Sequence, residues 1–183
     1  MVAGVVMRGV AICLTLLLPL AATADPTGAS FPAVQLKDLD GKPRTLPSPG
    51  DRALVVCWED DKSSKQKQDA HAVVGRYSDN PANRSVFELV VIADLERWDF
   101  WPARGHAIAS IKKTQTKEST PVWIDWKGAL RKAVGLRRAE SAFFVVGADG
   151  RVRWFAQGVL DEARRRALDE AIAALGATPA PGR

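Results

Sequence analysis

Apolar and polar positions along this chain change period several times, and each change marks an element. Residues 54–58, LVVCW, are continuously apolar, which suits a strand buried on both faces of a sheet. After the polar stretch EDDKSSKQKQ the period becomes helical. Ala70, Val73, Val74 and Tyr77 fall at i, i+3, i+4 and i+7, which predicts a helix from Ser63 or Ser64, both capping types, to about Tyr77. VFELVVIAD is a second buried strand, ending on Asp94. ARGHAIASIKK reads as a helix with Ala107, Ile108 and Ile111 inward, PVWIDW as a strand, and KGALRKAVGL as a short helix stopped by Gly135.

SAFFVVGADGRVRWFAQG is a β-hairpin pattern: an apolar strand, a turn around Ala148, Asp149 and Gly150, then alternation through Val152 and Trp154. The last helix starts near Asp161, a good N-cap, with Ala163, Ala167, Leu168, Ala171, Ile172 and Leu175 as its inward stripe. Ahead of all this, FPAVQLKDLDGKPRTLPSPGDR is a strand with a glycine turn and a proline-rich loop. Strands alternating with helices, then a hairpin, predict an α/β domain. Parallel strands with crossover helices are closed by an antiparallel pair. The domain is expected to span residues 25–178, with 179–183, the end of GATPAPGR, as a flexible tail.

The first 24 residues stand outside that domain. Arg8, the greasy run GVAICLTLLLPLA and the small-residue ending ATA describe a signal peptide cleaved after Ala24. The expectation is a periplasmic or secreted protein with no membrane span after cleavage. Cys13 lies within the greasy core and leaves with it, so Cys57 is the one cysteine of the processed chain. No internal disulfide can form, and the fold must rest on its core. The formal charge is +5 at pH 7. The densest basic runs, GLRRAE and EARRRALDE, read as solvated faces with a weak preference for anionic surfaces. No nucleic-acid-binding motif is present, and nucleic acid is not expected as a partner.

From residue 31 to residue 175 the chain resembles thioredoxin-like proteins. LKDLDGKPRTL looks like the opening of exported TlpA/ResA-type thioredoxins and of peroxiredoxins. TPVWIDWKGALRKAVGL and FFVVGADGRVRWFAQG resemble their later strand, short helix and hairpin. DDKSSKQKQDA, ESAFFVVGADGRVRW and QGVLDEARRRALDEAI are similar to the YtfJ family of exported bacterial proteins. The resemblance implies a thioredoxin-like fold: a mixed central sheet flanked by helices, with a closing antiparallel hairpin and an N-terminal strand extension. It places Trp58 four residues before the first active-site cysteine. Lys62 and Lys65 then stand where the two cysteines would be, and Ser141 where a cis-proline would enter the hairpin.

The candidate chemistry is correspondingly thin. Thiol exchange needs an accessible thiolate and a resolving thiol. Cys57 lies inside an apolar strand and reads as a core residue, a thiol-dependent oxidoreductase or peroxidase being the alternative. Lys62 or Lys65 as a nucleophilic amine, and Ser63 or Ser64 as a hydrolase nucleophile, lack the dry pocket or the Gly-x-Ser-x-Gly elbow that such roles need. His71 and His106, with Glu59, Asp60 and Asp61 crowded in one turn, do not make a metal set. No cofactor is expected. Asp94 and Asp125 end strands where functional crevices form. Trp98, Phe100 and Trp101 follow at once, as core filling or, if exposed, as a partner surface.

The expected function is therefore that of an exported binding or accessory protein without a redox cysteine pair, and the alternatives are the Cys57 enzyme or a docking component of an envelope complex. An unidentified protein or peptide is the expected partner. The expected binding edge comprises Trp58, the turn Glu59, Asp60, Asp61, Lys62, Ser63, Ser64 and Lys65, Ser141, and the pair Trp98 and Trp101.

Overall fold

The continuous apolar run predicted a strand, and the computed structural model places one there, β3, Ala53–Asp60. It is longer than the apolar run because Glu59 and Asp60 continue it. The structure describes residues 25–48, 52–63, 68–114 and 120–180. The expected signal peptide, Ser64 and Lys65 lie outside the described residues.

The remaining strands are β1 (Val34–Lys37), β2 (Pro43–Leu46), β4 (Phe87–Asp94), β5 (Val122–Asp125), β6 (Ala142–Val146) and β7 (Val152–Gln157). The helices are α1 (Gln68–Ser78), α2 (Ala103–Thr114), α3 (Ala129–Val134) and α4 (Glu162–Ala173). The strands form one sheet in the order β2-β1-β5-β4-β3-β6-β7. β3, β4 and β5 run parallel, while β6 and β7 continue antiparallel from β3 and β1 lies antiparallel to β5. The N-terminal β1–β2 hairpin thus extends the far edge of the sheet, and the β6–β7 hairpin closes the other.

Alternation along the strands divides the interior in two. Leu54, Val56 and Trp58 of β3 join Val90, Ile92, Phe144 and Val146 on one face, where Leu130 of α3 and Phe31 cover them. Val55 and Cys57 point the other way, against Ala70, Val73, Val74 and Tyr77 of α1 and Leu168 and Ile172 of α4. The helical stripe of α1 is buried as the sequence predicts. In α4 Leu168 and Ile172 are buried, but Ala163 in the first turn is exposed. Asp161 caps α4 by accepting from the Arg164 N–H, and Gly135 ends α3 with φ 77°.

Polar contacts tie the far end of the chain to α1. The Tyr77 hydroxyl donates to Asp169 Oδ1 at 2.9 Å, and burial together with that bond pushes its pKa up to about 12. Of the expected tail, the Thr178 N–H donates to Asn83 Oδ1 and the Ala180 N–H to the Arg76 carbonyl. Residues 181–183 lie outside the described residues.

The helix after β4 departs from expectation. Ala107, Ile108 and Ile111, expected inward, are only half-buried, and among the described residues neither core cluster contains a side chain of α2, although Ala103 at its start is buried. The stripe is too narrow and too broken by Ser110 and His106 to bury a continuous face.

Candidate functional site

Three parallel strands end on aspartate: CWED, VIAD and WID. The register sets the three side by side, Asp60 against Asp94 and Asp94 against Asp125. Asp60 lies two residues beyond Trp58, so the row continues the face of the Trp58 core. All three are buried. Each accepts, through Oδ1, the backbone N–H two residues on: Lys62 at 2.9 Å, Glu96 at 3.0 Å and Lys127 at 3.1 Å. This is the Asx-turn, in which a short side chain stands in for a backbone acceptor. One device repeated three times turns the chain at the carboxyl edge of the sheet.

The second oxygens differ, and they decide what the edge can do. Asp125 Oδ2 accepts from the Leu130 N–H at 3.0 Å and holds the start of α3. Asp94 Oδ2 accepts from Arg131 Nε at 3.2 Å. Asp60 Oδ2 crosses to the loop before β6 and accepts from the Ala139 N–H at 2.6 Å. Ala139 sits at φ 63°, a left-handed conformation uncommon for a residue with a Cβ. Asp60 Oδ1 also takes the Ser63 N–H at 3.0 Å.

Ser63 and Ser141 complete the closure. The Asp60 N–H donates to Ser63 Oγ at 3.0 Å, and Ser141 Oγ donates to the Ser63 carbonyl at 3.3 Å. Both serines are fully buried. Ser63, expected as a helix cap or a solvated loop residue, instead locks the turn to β3. Among the described residues of the turn, Asp61 and Lys62 are exposed. Glu59 is half-buried and meets His71 Nε2 at 2.9 Å. Trp58, expected on the binding edge, is completely buried in the core and presents no surface to a ligand. Cys57 is 1% exposed, on the opposite face of the sheet from Asp60.

Beside this plug lies an ion cluster. Glu96 pairs with Arg131, Lys132 and Arg138. Lys132, and after it Arg131, holds the Glu96 carboxyl down to about 2 against the opposing effect of burial. Burial pushes the Asp94 carboxyl the other way, above its ordinary value, and Asp125 adds to that. Gly128, at φ 58°, passes against the cluster: a Cβ there would lie 3.0 Å from the Arg131 guanidinium and 3.1 Å from Glu96 Oε2.

This is a strand-end edge filled by hydrogen-bonded side chains. Among the described residues no group of three metal-ligating side chains converges. The chain has a thioredoxin-like fold. Solved structures similar to it include the protein described as thiol:disulfide interchange protein DsbE of Chlorobium tepidum, with a TM-score of 0.57 and 16% identity over 83% of this chain and 99% of that one. Another is the thioredoxin domain of a thiol-disulfide oxidoreductase from Bacteroides vulgatus, with a TM-score of 0.54 and 13% identity over 80% and 97%. A third is StoA of Bacillus subtilis, with a TM-score of 0.52 and 14% identity over 77% and 96%. No family description matches the sequence, and neither does any curated protein.

In this thioredoxin-like chain the turn after β3 and the start of β6 come together as the resemblance implied, but through Asp60, Ser63, Ala139 and Ser141. Trp98 and Trp101 do not join them in the plug. They lie with Phe100 on the turn after β4 and are exposed, Trp98 37%, Phe100 57% and Trp101 90%. Sequence reasoning missed Asp60 as an anchor and Ala139 altogether. The repeated ending of three strands on aspartate was the available signal.

Proposed function

We propose that the chain is an extracytoplasmic binding or accessory protein of thioredoxin-like fold that performs no thiol-disulfide exchange. The observation that carries this reading is the position of Cys57. It is buried at the centre of the sheet, on the face opposite the β3 turn, with Phe143 and Val91 as its cross-strand neighbours. A thiol there is neither reachable by a substrate disulfide nor placed at a helix start that would lower its pKa. The turn itself carries Lys62 and the buried Ser63, and the Asp60 carboxylate and Ser63 hydroxyl are taken up by hydrogen bonds within the edge. The signal-peptide pattern of residues 1–24 supports export.

The test is insulin reduction driven by dithiothreitol, with native and unfolded thiol labelling alongside. The processed chain is expected to leave the dithiothreitol rate unchanged and to label at Cys57 only after unfolding. Catalysed reduction that disappears in Cys57→Ser would overturn the reading.

A further inference from the structure

The turn after β4 projects its apolar side chains away from both cores. Glu96–Trp98 form a single 3₁₀ turn, and Phe100, Trp101 and Pro102 lead into α2. Trp101 is 90% exposed, and Phe100 and Trp98 stand beside it. Arg104 lies over the Trp126 ring at 5.0 Å, which brings a fourth, half-buried aromatic to the base of the projection. Three exposed aromatics within four residues are more than the single scattered exposure common on protein surfaces.

The charges around the projection select the contact. The two acids of the segment are both consumed: Glu96 by Arg131, Lys132 and Arg138, and Asp99 by Arg104. Helix α2 has no acid in its first turn and ends on Lys112 and Lys113. Lys112 takes Asp40. Arg97, Lys113 and Lys127 are exposed and have no ion pair among the described residues. The remaining field is cationic, behind a wedge of tryptophan and phenylalanine.

We propose that this element, residues 97–113 with Lys127, docks on the surface of an anionic lipid bilayer. Trp101, Phe100 and Trp98 seat among the headgroups, and Arg97, Lys113 and Lys127 face the lipid phosphates. Tryptophan is suited to that boundary because its ring is apolar and its N–H is polar. Aromatic insertion and basic attraction add together at an interface. A protein occupant is less well matched. Its binding pocket would have to accept three exposed rings beside acids, Glu96 and Asp99, that are already paired within this chain.

The inference rests on the binding reading above only in giving that role a partner. Its experiment does not involve Cys57, so the two fail separately. Among the described residues, both hydrophobic cores are built from residues 31–177, all within the processed chain. The processed chain can therefore be tested by flotation with vesicles of phosphatidylcholine alone or with phosphatidylglycerol added. Binding is expected only with phosphatidylglycerol, and raised salt should weaken it. Phe100→Ser combined with Trp101→Ser should lower it by about tenfold or more, as should Arg97→Glu combined with Lys113→Glu. Neither pair should change the thermal midpoint, since all four side chains are exposed. Equal binding to both vesicles, no binding, or binding undiminished in Phe100→Ser/Trp101→Ser overturns the proposal. Capture of a protein partner that this variant loses, without vesicle binding, replaces lipid with protein as the occupant.

Discussion

Asp60 and Ala139 stand 79 residues apart in sequence, and the Asp60 carboxylate accepts the Ala139 backbone N–H at 2.6 Å. With the Lys62 and Ser63 N–H groups on the other oxygen, one side chain satisfies three backbone donors from two loops. Removing it leaves three donors in a closed region without their acceptor, at roughly 1–3 kcal/mol each. Asp60→Ala should lose about 3 kcal/mol or more of stability in urea unfolding. Asp60→Asn should lose less, because Oδ1 can still serve Lys62 and Ser63 while only the Ala139 contact turns unfavourable. Equal losses for the two variants would show that the Oδ1 bonds to Lys62 and Ser63 contribute nothing beyond the link to Ala139.

Ala139 itself is held at φ 63°. The left-handed region costs an alanine about 1–2 kcal/mol. Glycine escapes that cost but adds about 0.5–1 kcal/mol of unfolded-state entropy. Ala139→Gly should therefore be neutral or stabilising by up to about 1 kcal/mol, and a β-branched Ala139→Val should be clearly destabilising. Thermal midpoints of the two variants check this, and a marked loss in Ala139→Gly would refute it.

Stability should carry an acid-range signature from Glu96. Its folded pKa is lowered from 4.5 to about 2, so its contribution is complete above the unfolded value and is lost as pH falls through the folded one. Asp94 works oppositely: its folded pKa is raised above 3.8, so its burial costs stability as pH rises through that range. Glu96→Gln should be less stable than the parent above about pH 4.5, with the gap shrinking toward pH 2. Urea midpoints measured across this range test it. A gap that stays constant would mean the Glu96 charge is not what stabilises the cluster.

The architecture was legible because periodicity reports burial, and burial of LVVCW and of the α1 stripe depends on side chains near in sequence. Gly135 and Asp161 were legible for the same local reason. Helix α2 was misread because three apolar residues with helical spacing fit a buried stripe, although no core face remained for them to cover. The site was legible only in outline. The resemblance placed Lys62 and Ser141 at matching positions of the edge, and the structure sets Ser141 against the Ser63 carbonyl there. That Asp60 and Ser63 are buried cannot be read from position, because their partners lie across the sheet, and polar residues in a turn default to solvent. The exposure of Trp98 and Trp101 was undecidable from sequence, since an aromatic cluster fits a core as readily as a surface.

Among the described residues α2 has no member in either hydrophobic core cluster, and the described part of the segment between β4 and β5 is held by the buried Leu95 and Ala103, the Glu96 ion cluster and the Lys112–Asp40 pair. By hydrogen exchange the amides of α2 are expected to be less protected than those of β3 and β4. Substitutions on the exposed face of this segment are expected to leave the β4–β5 register unchanged. The fold thereby carries one exposed segment whose side chains can be changed with little effect on either hydrophobic core.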